Sequence, residues 1–205
     1  PERKSRIMTE RERKVTAYHE AGHAIVARAQ ADGDPVRKVT IIPRGIAGGL
    51  TWYLTDDEDQ RLATRSKLKA RLAYMLGGRA AEELVFSKDE VTTGASNDLE
   101  QVTSVARRMV TRWGMSEKLG PMAFGKKDEL VFLGREIGEQ RDFSEAVAEE
   151  IDAEVRGLVN AAHQLAGKIL KKQRAKLDEV ANYLLQNETA EMEQFEALWK
   201  GEPVP

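Results

Sequence analysis

The 205-residue chain contains no cysteine. That excludes a disulfide framework and any thiolate metal site, and it is consistent with a reducing compartment without requiring one. No run of 18 or more apolar residues occurs and the first residues are charged, so neither a membrane span nor a signal peptide is read in it. Positive charge is not in excess either. The net charge of -2 argues against a nucleic-acid surface. The local basic start (Arg3, Lys4, Arg6, Arg11, Arg13, Lys14) reads as a solvated linker and helix face, which leaves nucleic-acid binding the weakest reading. What is present is 41% hydrophobic and 32% charged, the composition of a soluble globular chain able to bury one good core or two small ones.

Histidine is scarce as well, with three in the chain, yet two of them fall four residues apart. The run Ala17-Tyr18-His19-Glu20-Ala21-Gly22-His23-Ala24 contains H-E-x-x-H. On a helix, residues four apart lie one turn apart on one face, so His19 and His23 can converge on one cation with Glu20 beside them. Two imidazoles then bind zinc and the carboxylate acts as general base toward a metal-bound water. Thr9 followed by Glu12 forms a capping box that predicts a helix start about ten residues before His19. Val15, Tyr18, Gly22, Ile25 and Val26 keep a helical apolar spacing, and Asp32-Gly33-Asp34-Pro35 predicts the end. Gly22 costs a helix about 1 kcal/mol relative to alanine, and its missing side chain predicts close approach of another element.

Further along, Val39-Thr40-Ile41-Ile42 and Leu50-Thr51-Trp52-Tyr53-Leu54 read as strands around a glycine-rich turn from Arg44 to Gly49. A helix capped by Asp56-Asp57-Glu58-Asp59 is predicted through Leu62, Leu68, Leu72 and Met75 to Gly77-Gly78, and a second over Arg79 to Phe86. Gly94-Ala95-Ser96-Asn97-Asp98 opens a strong helix with an apolar face of Leu99, Val102, Val105, Ala106, Met109, Val110 and Trp113, closed by Gly114. Leu119 to Gly134 is irregular, with Met122-Ala123-Phe124 and Leu130-Val131-Phe132-Leu133 suggesting a small hairpin. From Phe143 the pattern is helical almost to the end, with stripes at Ile151, Val155, Leu158, Val159, Ala162 and at Leu177, Val180, Ala181, Leu184, Leu185. The expected fold is mainly α (α+β), with one small β-sheet near the His19 helix and a C-terminal helical bundle.

A catalytic zinc takes three protein ligands and keeps one position open. Six residues after His23, where a metzincin has its third histidine, stands Ala29. His163 sits on a late stripe and reads as a core or surface residue. Carboxylates remain, and Glu82, Glu83 and Asp98 are the candidates. Asp98 has a mild advantage as a short side chain at a helix start behind a glycine-rich turn. Glu82 and Glu83 otherwise read as a solvated helix face or an ion pair with Arg79, and the residues alone leave the choice open. Gly120-Pro121-Met122-Ala123-Phe124-Gly125-Lys126-Lys127 imitates a phosphate loop, but Lys127 stands where Ser or Thr must hold magnesium and Asp128-Glu129 follow in place of an apolar helix. The chain by itself is therefore not expected to bind ATP.

Beyond the five-residue motif, the chain resembles the FtsH-type ATP-dependent zinc metalloproteases. The likeness is carried by Ala17 to Ala24, by Gly77-Gly78-Arg79-Ala80-Ala81-Glu82-Glu83, by Thr93-Gly94-Ala95-Ser96-Asn97-Asp98-Leu99, and by Met109 to Ser116 with Leu119-Gly120-Pro121. It covers essentially the whole chain. The resemblance implies a zincin-like peptidase domain with one zinc ion held by His19, His23 and Asp98, and with Glu20 as the base. It also implies that unfolded polypeptide adds as an extra strand along Gly49, Leu50, Thr51 and Trp52. Gly48 stands where the family pattern has leucine, a departure that bears on this turn and leaves the catalytic set intact. On the same resemblance residues 1–8 are a linker from an upstream ATPase module, 9–140 the zinc peptidase core and 141–205 its C-terminal helical part. ATP would act only through that AAA+ module. The full-length protein is then expected to be a homo-hexamer anchored in a membrane by N-terminal segments, degrading unfolded or membrane proteins processively. Its peptidase domain would lie on the cytoplasmic side, or the stromal or matrix side in an organelle. The competing reading is a helical oligomerisation module with a structural zinc site, against which the Glu20 base counts.

Overall fold

The computed structural model describes residues 8–42, 50–53 (backbone only), 62–125 and 142–205. Helix α1 (Glu10–Arg28) begins at the expected capping box. The Thr9 hydroxyl accepts the Glu12 amide at 3.2 Å, and the Glu12 carboxylate accepts the Thr9 amide at 2.8 Å. Its residues from Ala17 to Ala27 are all buried, so this is a central helix with no solvent face over that stretch. It ends at Arg28, short of the expected stop, with a turn from Gln30 to Gly33 following.

Strand β1 (Val36–Thr40) pairs antiparallel with β2 (Leu50–Tyr53) on one side and with β3 (Thr189–Glu191) on the other, giving the order β2-β1-β3. Lys38 lies opposite both Trp52 and Glu191, and its ammonium meets the Glu191 carboxylate at 2.6 Å. The first strand starts earlier than its apolar run suggests. Ile42 is already exposed, and Ile41 is held by its amide bond to the Glu188 carbonyl at 2.9 Å. The glycine-rich turn, including Gly48 and Gly49, lies outside the described residues.

Helix α2 (Arg65–Met75) starts at Thr64, whose hydroxyl accepts the Lys67 amide at 3.2 Å. Leu62, expected inside this helix, precedes it and is 88% exposed, and the acidic cap at Asp56–Asp59 lies outside the described residues. Gly77-Gly78, expected to terminate α2, instead opens α3 (Gly77–Phe86) after a bend at Leu76. The reason is contact with α1. A Cβ on Gly22 would collide with the Gly77 carbonyl oxygen and would lie 2.6 Å from the Ala81 Cβ, so glycine on both helices permits backbone-to-backbone packing. The close approach expected at Gly22 is found there.

Two short 3-10 turns (Lys88–Glu90 and Thr93–Ala95) lead into α4 (Ser96–Thr111). Val102, Val105, Ala106, Met109 and Val110 form its buried face as expected. Leu99 and Trp113 do not join it. They are 39% and 44% exposed, and Trp113 lies beyond the last turn with the Arg108 guanidinium 5.4 Å from its ring. Of the suggested hairpin within Leu119–Gly134, residues 126–134 lie outside the described residues; Phe124 bonds through its amide to the Thr111 carbonyl at 2.8 Å.

Helix α5 (Glu145–Lys172), capped by Ser144, lies across α2, α3 and α4 and buries Ile151, Val155, Ala162, Ala166 and Leu170. Helix α6 (Arg174–Asn187) packs on α1. Glu188 then takes a left-handed conformation (φ 64°), which turns the chain into β3, an element the helical composition of this region concealed. Helix α7 (Met192–Lys200) closes against β1, and its Phe195 is fully buried. The fold is mainly helical with one small sheet beside α1, as expected, and its core is continuous from α1 to α7.

Candidate metal centre

The capping box and the apolar spacing of α1 place His19 and His23 one turn apart, both buried, with ring centroids 4.7 Å apart. Each ring is oriented through its Nδ1. That of His19 meets Glu82 Oε1 at 2.7 Å, and that of His23 meets the main-chain oxygen of Tyr74 at 2.6 Å. An ionised carboxylate and a carbonyl can only accept, so both Nδ1 atoms are assigned a proton and both Nε2 atoms face inward, as a lone pair in the neutral ring and as a donor to Asp98 in the charged one.

Asp98, in the first turn of α4, supplies the third donor. Its Oδ2 lies 3.1 Å from His19 Nε2 and 3.3 Å from His23 Nε2, while the two Nε2 atoms are 3.0 Å apart. These three side chains have their ligand atoms within 4.8 Å of one another, the one such cluster of three or more among the described residues. The space they enclose has no room for another side chain. A Cβ on Gly78 would lie 2.5 Å from His19 Nε2 and 2.6 Å from His23 Nε2.

The electrostatics of this arrangement call for a positive charge. Burial alone would lower the His19 pKa, but hydrogen bonds to Asp98 and Glu82 and the field of Glu20 outweigh it and push the value up to about 10. Burial would raise the Asp98 carboxyl, yet its bonds to both imidazoles hold it well below the usual carboxylate range. Glu82 behaves alike: against a desolvation that raises it, His19 and the Thr92 amide lower it. Two imine nitrogens and a carboxylate facing one another require either a proton or a cation between them. A two-histidine, one-carboxylate donor set suits zinc.

Of the three carboxylates left open by the sequence, Asp98 is the one that joins both histidines. Glu82 is not on a solvated face; it is 1% exposed and holds His19 from behind. Glu83 pairs with Arg79 at 2.8 Å, as one sequence reading had it. His163 approaches Glu83 to 3.1 Å without an aligned hydrogen bond at its Nε2, and both stand apart from the cluster. Glu20 is buried next to His19. Leu50, Thr51 and Trp52 lie on β2, an outer strand of the sheet that contacts α1, and Gly49 lies outside the described residues. Sequence reasoning missed the Glu82 and Tyr74 contacts. The spacing of Gly78 and Glu82, one turn apart on α3, was the available signal for the first, since it aims Glu82 along the face that meets α1.

Comparison with known proteins agrees with this geometry. Residues 6–198 match the model of Peptidase family M41. The chain is 58% identical over 198 residues to the ATP-dependent zinc metalloprotease FtsH of Chloroflexus aggregans, covering 97% of this chain and 30% of that protein. It is 54% identical over 205 residues to ATP-dependent zinc metalloprotease FtsH 1 of Thermomicrobium roseum, covering 100% of this chain and 31% of that protein. With the ATP-dependent zinc metalloprotease FtsH of a Synechococcus species the identity is 52% over 198 residues, covering 97% and 31%. The chain thus spans a little under a third of the length of these curated relatives. It belongs to peptidase family M41, as the peptidase domain of an FtsH-type zinc metalloprotease.

Proposed function

We propose that His19, His23 and Asp98 hold one zinc ion and that Glu20 is the general base of peptide-bond hydrolysis. The observation that carries this is the convergence of the three donor atoms within 4.8 Å. When bound, zinc supplies Lewis acidity, polarising a carbonyl and lowering the pKa of a water toward about 7. The chain supplies the rest. Glu82 and the Tyr74 carbonyl keep both imidazoles in the tautomer that offers Nε2. Glu20 takes the proton of the attacking water and returns it to the leaving amine. The outer edge of β2 is proposed to offer main-chain hydrogen bonds to an extended polypeptide along Leu50, Thr51 and Trp52, with Gly49, which lies outside the described residues, assigned to the same site on the family resemblance alone. Such recognition is indifferent to most side chains and suits unfolded substrates of many sequences. Three protein donors beside a buried glutamate favour this over a structural zinc, which takes four protein ligands.

In the whole protein the domain is proposed to act within a membrane-anchored homo-hexamer that feeds unfolded chains processively from an ATPase module outside this chain. The names of the relatives, which include ATP dependence, support that reading. No helix among the described residues is long and apolar enough to cross a membrane; the anchor is part of the proposal for the whole protein.

The test is Glu20→Gln. Stoichiometric zinc and the wild-type melting temperature are expected to persist while cleavage of an unfolded reporter falls by about 10²–10⁴-fold. Full activity in that variant would sink the assignment. For the third ligand, Asp98→Ala should lose the metal and Glu83→Ala should keep it; the reverse pattern would move the site.

A further inference from the structure

Asp34 is a carboxylate that the proposed chemistry does not use, and it is 3% exposed. A charge so buried persists only with partners. Among the described residues it has three, all on α2 and at helical spacing. Arg71 reaches Oδ2 through Nη2 at 3.1 Å and Nε at 3.3 Å, Lys67 approaches Oδ1 at 3.5 Å, and the Tyr74 hydroxyl donates to Oδ2 at 3.0 Å. Arg71 and Lys67 together already exceed the charge of Asp34, so neutralising it does not require the phenol. What the phenol adds is a directed tie to the last turn of α2. Burial, and then the field of Asp34, hold the Tyr74 pKa well above its ordinary value, so it remains a donor.

Tyr74 has a second contact through its main chain. Its carbonyl belongs to the final turn of α2, where the amide of the capping residue Leu76 is aimed at it together with the Leu72 and Ala73 carbonyls, and it accepts His23 Nδ1 at 2.6 Å. Helix ends fray, and a carbonyl there orients an imidazole only as firmly as the turn itself is held.

We propose that Asp34 is a positioning residue: by gripping the Tyr74 hydroxyl it fixes the helix end whose carbonyl sets the tautomer and ring plane of His23. The consequence for zinc rests on the reading of His23 as a ligand, whereas the hydrogen bond to His23 stands without it.

Tyr74→Phe deletes the tie and keeps the buried ring; Asp34→Asn is the companion variant. In the metal-free full chain, the His23 Nδ1 proton, followed by imidazole nitrogen-15 NMR, should exchange with solvent at least about tenfold faster in Tyr74→Phe than in wild type. Zinc affinity, from competition with a chelator, should weaken by about tenfold in both variants, as outer-shell partners of ligating histidines do. If Asp34→Asn fails to fold, Tyr74→Phe alone decides. Wild-type exchange and wild-type zinc affinity alongside a lowered melting temperature would overturn the proposal and leave Asp34 a fold anchor. Faster exchange in a chain that binds no zinc even as wild type would uphold the positioning role while refuting the zinc reading.

Discussion

Glu82 Oε1 stands 2.7 Å from His19 Nδ1 while its other oxygen accepts the Thr92 amide at 2.7 Å. One carboxylate therefore orients the first candidate ligand and also anchors the turn that leads into α4, the helix carrying Asp98. His19 and Asp98, two of the three candidate donors, are thus coupled through a residue outside the cluster.

Glu82→Gln tests this coupling. The amide has one acceptor oxygen where the carboxylate has two, so either His19 or Thr92 faces an N–H group in place of an oxygen, a mismatch of about 1–3 kcal/mol. Zinc affinity measured by chelator competition should fall by about 10–100-fold, with a lower melting temperature. Unchanged affinity would show that His19 is oriented without Glu82.

The glycines of the α1–α3 contact should separate stability from metal binding. A methyl at Gly22 meets the Gly77 carbonyl and Ala81, backbone and core that cannot yield cheaply. Gly22→Ala should therefore destabilise the chain by about 1–3 kcal/mol in denaturant unfolding. At Gly78 the methyl meets the two Nε2 atoms. Gly78→Ala should lose stoichiometric zinc out of proportion to its change in stability, and normal zinc content in it would contradict the described floor of the site.

Phe195 tests whether the C-terminal helices are one unit with α1. It is fully buried on α7, which packs on β1, while α6 packs on α1. Phe195→Ala should cost about 3–5 kcal/mol and shift a single cooperative transition, zinc release coinciding with loss of helix signal. Two separate transitions would show the C-terminal part to be an independent unit.

Much of this molecule is legible locally. The start of α1 depends on two side chains and two amides within four residues, and the buried faces of α4, α5 and α6 follow a 3.6-residue period. Where the reading failed, the deciding partner lay far along the chain. Thr189–Glu191 is a strand because β1 stands alongside it, about 150 residues earlier in sequence, and its own composition reads as helix. Gly77-Gly78 looks like a terminator, yet it is a contact surface, because α1 needs a neighbour without side chains. Leu99 and Trp113 fit the sequence stripe of α4, yet both are exposed, and Trp113 falls after the helix has ended at Thr111.

The site divides in the same way. By itself the sequence determined that His19, Glu20 and His23 share one helix, because spacing and capping act within a few turns. It did not determine which carboxylate completes them. Glu82, Glu83 and Asp98 are chemically alike, and only the packing of α3 and α4 on α1 put Asp98 among the Nε2 atoms, Glu82 behind His19 and Glu83 against Arg79. Asp34 followed the same course, from a helix-stop signal in the sequence to a buried anchor in the fold. A carboxylate's role depends on which donors surround it, and tertiary contact alone brings those donors together.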